Sequence, residues 1–199
     1  MSLIATTLTL LLGLFPPAST HVHLDLAFKG VYLSPREKAI AVDEVNEIWN
    51  AYGVDVRDAD GEDGECADTT LTVMMARHQG PRIAADALGS IAFVGDEPQT
   101  VIAMYPETIA QFIGSLTIMG HSDYQWTPRL RDRIHGRVLG RALAHEIGHY
   151  LLHSRGHSKN GLMRAEQSIV DLASDDRSSF SLSVIELARL AADSIDGAR

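Results

Sequence analysis

Residues 145–163 read HEIGHYLLHSRGHSKNGLM. They fall within or just after an expected long helix that opens at Thr127-Pro128 and runs to about His153. Threonine suits the cap and proline the first helical position. In such a helix four residues turn about 400° and rise about 6 Å, so His145 and His149 project from nearly one face. Two imidazoles at that spacing can meet one zinc ion at about 2.0–2.1 Å each. Glu146 stands beside the first histidine. It is placed to take a proton from water polarised there, the work of a general base.

Two histidines do not complete a zinc site, so a third ligand is required. His153 continues the i+4 series, but it lies about 12 Å from His145 along the axis, too far to share an ion. A cation at that place suits the helix C-terminus instead. His157 is better placed. Ser154-Arg155-Gly156 lets the chain leave the helix, and Gly156 tolerates positive φ, so the chain can fold back under the metal. Three later carboxylates, Glu166, Asp171 and Glu186, are the alternatives.

The rest of the chain sets the frame. It has 199 residues, a net charge of −9, 45% apolar residues and one cysteine. That length and apolar content fit a soluble globular domain with a sizeable core. One cysteine excludes an internal disulfide framework and a cysteine-rich zinc site. The acidic balance speaks against nucleic acid as a partner. Residues 1–20 carry no charge, and Leu3 to Phe15 is a short apolar run before Pro16-Pro17. Such a run is too short for a stable membrane span and suits a signal segment. Export is therefore expected, secreted or periplasmic, with residues 21–199 as a single domain.

The remaining pattern predicts one α/β unit. Strands are expected at His23–Phe28, Val54–Val56, Leu71–Ala76, Ile91–Val94 and Val101–Tyr105, by alternation and β-branched content. Ser34-Pro35-Arg36-Glu37 is a capping box ahead of an amphipathic helix that ends at Gly53. Glu107–Ile113 reads as a short helix. A last helix is expected over Phe180–Ala192, with Ser183 and Glu186 spaced as a second capping box.

The stretch from His145 to Met163 resembles the site of metzincin-type zinc metallopeptidases, whose pattern is H-E-x-x-H-x-x-G-x-x-H followed by a methionine turn. His145, Glu146 and His149 match directly. His157, then Gly161-Leu162-Met163, resembles the third ligand and the turn. The family's glycine falls at Leu152 and its third histidine at Arg155, so this chain carries two extra residues before His157. The resemblance implies a small zincin-like catalytic domain, a mixed twisted sheet with a long active-site helix and a C-terminal helix. It also implies a Zn2+ cofactor, Met163 as an apolar floor under the metal, and hydrolysis of a peptide or protein substrate. An extended peptide would lie along a strand edge, at Val101–Tyr105 or Ile91–Val94. Residues Arg164 to Asp171 would wall the pocket. A zinc-binding module without turnover and a non-peptide amide hydrolase are the competing readings. The retained Glu146 weighs against the module, since a structural site needs no base.

Other features read more plainly. Arg129, Arg133, Arg137 and Arg141 recur every four residues as an expected solvated or ion-paired stripe, with substrate-carboxylate binding by Arg141 as the sharper alternative. The acidic run Asp58–Asp68 lacks the glycine and glutamate positions of an EF-hand loop, so a solvated loop is expected over calcium. Cys66 is read as a free or buried thiol.

Overall fold

Alternation along Val22–Gly30 gives strand β1, with Leu24 and Leu26 turned into the core. In the computed structural model, which describes residues 21–30, 33–61, 67–77, 80 and 83–196, five strands form one sheet in the order β2-β1-β3-β5-β4. The others are β2 (Val54–Asp58), β3 (Thr69–Met75), β4 (Gly89–Val94) and β5 (Glu97–Met104). β1 pairs parallel with β2 and β3, β3 pairs parallel with β5, and β4 pairs antiparallel with β5. The expected signal segment 1–20 and the thiol of Cys66 lie outside the described residues.

Parallel neighbours need crossovers, and the helices supply the first. Helix α1 (Pro35–Trp49) links β1 to β2. Its cap forms as the sequence predicts: the Ser34 hydroxyl accepts the Glu37 N–H at 3.0 Å. Gly53, at φ 78°, turns the chain out into β2. After β5 come α2 (Pro106–Gly114) and the long helix α3 (Pro128–Leu151), capped by Thr127. Helix α4 (Ile169–Ala173) and helix α5 (Val184–Asp196) complete the chain.

Helix α3 packs on α1, and the sequence allows an unusually close approach. A Cβ at Gly136 would come within 2.7 Å of the Glu37 carbonyl oxygen, and one at Gly140 within 2.6 Å of the Ala41 carbonyl oxygen. The Trp49 indole N–H then donates to the Ala144 carbonyl at 3.1 Å, tying α1 to the turn just before His145. Val45, Trp49, Leu71, Ile102, Val138, Leu143 and Ile147 share one apolar core between the helices and the sheet. Fully burying side chains of that size stabilises by roughly 1.5–3 kcal/mol each.

Three expectations are corrected. Val101–Tyr105 offers no free edge, because β5 lies between β3 and β4; the edge is β4. Adjacency in sequence does not reveal which strand of a hairpin closes a sheet. The last helix begins at Val184 rather than Phe180, which sits in a short 3-10 turn with its ring buried. In the arginine stripe, expected to be solvated or ion-paired, the correction is Arg141 alone, for Arg137 is ion-paired with Asp175. Arg129 and Arg133 are exposed, Arg137 donates to the Ala173 carbonyl at 2.8 Å, and Arg141 is 1% exposed.

Arg141 is therefore an internal strut and not a substrate contact. Its Nε donates to Glu44 at 2.7 Å, and Arg177 closes on the same carboxylate at 2.9 Å. A buried charge of this kind is tolerable only when paired and hydrogen-bonded. In the acidic run, the Lys38 ammonium sits 2.7 Å from Asp58 and 2.8 Å from Asp60, where a bound cation would need those carboxylates.

Candidate metal centre

The end of α3 brings the site together. His145 and His149 lie one turn apart, and their Nε2 atoms face each other at 3.2 Å. His157 returns from the loop after the helix. Its ring stacks on His145, with centroids 5.2 Å apart and planes 14° apart, and meets His149 edge-on at 4.9 Å. One ligand atom from each of the three lies within 4.8 Å of the others, and among the described residues this is the one such cluster.

Backbone carbonyls set the ring orientations. His145 Nδ1 donates to the Leu162 carbonyl at 2.8 Å, and His149 Nδ1 donates to the Ser154 carbonyl at 2.6 Å. A proton held on each Nδ1 leaves each Nε2 with a free lone pair, the form a metal takes. A tetrahedral ion at zinc–nitrogen distances holds two nitrogens about 3.3 Å apart, which the His145–His149 pair already matches. Burial also keeps the imidazoles neutral. It holds His145 down to about 4 and lowers His149, and the neighbouring His157 lowers both further. The chemistry of the donor set thus fits zinc, with the His145–His149 pair already at ligand spacing.

Glu146, next to His145 on α3, lies against the edge strand β4. Its side chain is 8% exposed and packs against Gly89 on β4. Burial pushes its carboxyl up to about 8, against a hydrogen bond from the Ile91 backbone that favours the charged form. A carboxyl raised that far gains or loses its proton near neutral pH.

Below the histidines the chain turns at Gly161, where φ is +83° and a Cβ would collide with the Ser181 carbonyl. Leu162 and Met163 follow, both buried. The Met163 sulfur lies against Gly148, so any side chain at 148 would overlap it. Gln167 braces this turn, donating to the carbonyls of Gly161 at 3.1 Å and Leu162 at 3.3 Å. It shares the Leu162 oxygen with His145. Sequence spacing gave no sign of Gln167.

The other expected residues take different places. His153 has φ 44° and points to Glu97 at 3.5 Å, away from the cluster. Glu166 is exposed. Asp171 pairs with Arg164 at 2.9 Å. Glu186 is buried but accepts from Ser158 and Ser183 rather than joining the three imidazoles. Residues Arg164 to Asp171 do not line the cavity beside His157. The cavity beside His157, about 270 Å³, is lined by Met163 and by Ser183, Ile185, Glu186 and Arg189 of the last helix and its cap. The segment 164–171 is spent on bracing the turn from behind.

The two extra residues before His157 have a visible use. Arg155 stacks on the Phe93 ring at 4.5 Å and donates to the Gly95 carbonyl and to Asp96 at the β4–β5 turn. The longer loop thereby reaches the tip of the edge hairpin.

No protein-family model and no curated protein matches this chain. Among solved structures, archaemetzincin from Methanopyrus kandleri aligns over 92% of this chain and 99% of its own, at 16% identity and a TM-score of 0.53. The chain has the zincin-like α/β fold of that protein, the fold that the resemblance over His145 to Met163 implies.

Proposed function

We propose that this protein is a zinc-dependent metallopeptidase, with His145, His149 and His157 holding the ion and Glu146 as general base. The observation that carries it is the convergence of three imidazoles, two with Nδ1 committed to carbonyls, beside a buried carboxyl against a sheet edge. Zinc at that place would polarise a scissile carbonyl and acidify water. Glu146 accepts the water's proton and passes it to the leaving amine. The amide breaks as the carboxylate and free amine form, so protons balance. Strand β4, the open edge, aligns an extended peptide through its backbone groups. Buried walls of Met163 and Ile147 keep the rear of the site dry.

The unpaired edge of β4 favours a peptide over a small amide, because it offers a row of backbone donors and acceptors rather than a closed pocket. We further propose that the protein acts after export, on the charge-free apolar run at its N-terminus.

The test is cleavage of a diverse peptide mixture by the zinc-loaded protein, read by mass spectrometry beside Glu146→Ala. Cuts made only by the unaltered protein support the reading and reveal its side-chain preference. Zinc binding without any cut would reassign the protein as a binding module or an amide hydrolase with a non-peptide substrate.

A further inference from the structure

Helix α5 is turned the wrong way for a helix held by apolar burial. Val184 is 82% exposed and Ile185 70%, whereas Glu186 is only 6% exposed. A surface helix ordinarily buries its apolar residues and leaves carboxylates in water. Something other than hydrophobic contact fixes its first turn.

Two side-chain contacts of the helix lead to the loop that carries His157. The Ser158 hydroxyl donates to Glu186 Oε1. Three residues on, along the same face of the helix, Arg189 Nη1 donates to the Ser154 hydroxyl at 3.1 Å. Ser154 and Ser158 stand three residues before and one after His157. Ser154 also supplies the carbonyl that orients His149, and its hydroxyl accepts the Gly156 N–H at 3.2 Å. Glu186 is held in turn by the Ser183 N–H at 2.6 Å. The base of the helix is anchored by Leu162 N–H to the Ser181 carbonyl at 2.9 Å and by Leu182 N–H to the Tyr52 hydroxyl at 2.9 Å.

We infer that Glu186 and Arg189 are positioning residues: through Ser158 and Ser154 they clamp the loop on both sides of His157, and so set the third ligand's geometry. Resting on the metal-site reading above, this moves Glu186 from possible ligand to support. The five residues between the end of α3 at Leu151 and His157 have no regular structure to hold the end of the loop. An imidazole that must land within a few tenths of an ångström of an ion needs such support, and outer partners of metal ligands carry roughly 10–100-fold in affinity.

The experiment is titration of the full-length protein with Co2+ alone, followed by its visible absorption, and then displacement by Zn2+. Ser158→Ala and Glu186→Ala should each weaken Co2+ binding about 10-fold or more and alter the absorption band at saturation. The double variant should be no weaker than the worse single one, because both act through one contact. Glu186→Gln, which still accepts a hydrogen bond, should recover part of the loss. Val184→Ala, on the same turn but exposed, should bind as the unaltered protein does. If Glu186→Ala does not fold, Ser158→Ala carries the test by itself. Unchanged affinity and absorption in Ser158→Ala and Glu186→Ala overturn the inference while leaving the metal centre intact. Failure of the unaltered protein to bind Co2+ overturns both.

Discussion

Gly89 on the edge strand lies directly against Glu146 on α3. A Cβ at position 89 would stand 3.0 Å from Glu146 Cγ and 2.8 Å from the Met104 sulfur. No side chain fits between the strand and the carboxylate. Gly89→Ala should cost about 1–3 kcal/mol of stability by overpacking. It should also displace the Glu146 carboxyl, so peptide cleavage should fall by more than 10-fold, a barrier rise above about 1.4 kcal/mol. Bound zinc should be unchanged. Cleavage at the original rate would show that the contact does not position the base.

The histidines can be told apart by metal retention. His157→Ala should lose zinc far beyond the roughly 10–100-fold that an outer partner carries. His153→Ala should keep it, because His153 faces Glu97 across 3.5 Å at the exposed end of the helix. Metal content after dialysis is the measurement, and equal retention by both variants would remove His157 from the ligand set.

The raised carboxyl of Glu146 makes a pH prediction for the metal-free protein. Burial moves it from 4.5 to about 8. Below the lower value the group is protonated in both folded and unfolded chains. As pH rises, the unfolded chain ionises first, so the folded state loses stability through the upper value. The limit of that loss is roughly 4–5 kcal/mol. Glu146→Gln has no such group. Its metal-free form should match the unaltered protein near about pH 4.5 and melt higher at about pH 8.5. The lowered pKa of His145 acts at the acid end, where it reduces stability equally in both proteins. Superimposable melting curves across that range would refute the assignment of a buried, strained carboxyl.

Gly140→Ala tests the close approach of α1 and α3. Alanine improves intrinsic helix propensity by up to about 1 kcal/mol. Its Cβ, however, would come within 2.6 Å of the Ala41 carbonyl oxygen, a backbone atom that cannot swing aside. Net destabilisation of about 2–3 kcal/mol is expected from the denaturant midpoint. A gain in stability would mean the helices separate freely.

Much of this arrangement is legible in the sequence, and the reasons for the rest are physical. Ser34 and Thr127 start their helices because cap chemistry is local. His145 and His149 share a face because the helix repeat dictates it. At the C-terminal helix two local signals conflict. Apolar spacing draws the expected start back to Phe180, while the capping box at Ser183 and Glu186 marks the true one. Arg141 looks like the exposed Arg129 and Arg133, and its burial is explained by partners far away in the chain, Glu44, the Asp171 carbonyl and the Phe180 ring. Gln167 and the outermost place of β4 depend on tertiary contacts in the same way, and no spacing encodes them.

The open edge of β4 has a consequence beyond substrate alignment. A strand that can accept a peptide can equally accept the same strand of another molecule, and long flat edges seed aggregation. Here the pairing breaks register between Ile91 and Phe93, and Arg155 lies across the Phe93 ring toward the hairpin tip. The flat length is thereby cut to the few residues beside Glu146. The extra residues before His157 thus shorten the flat edge that another copy of the chain could meet.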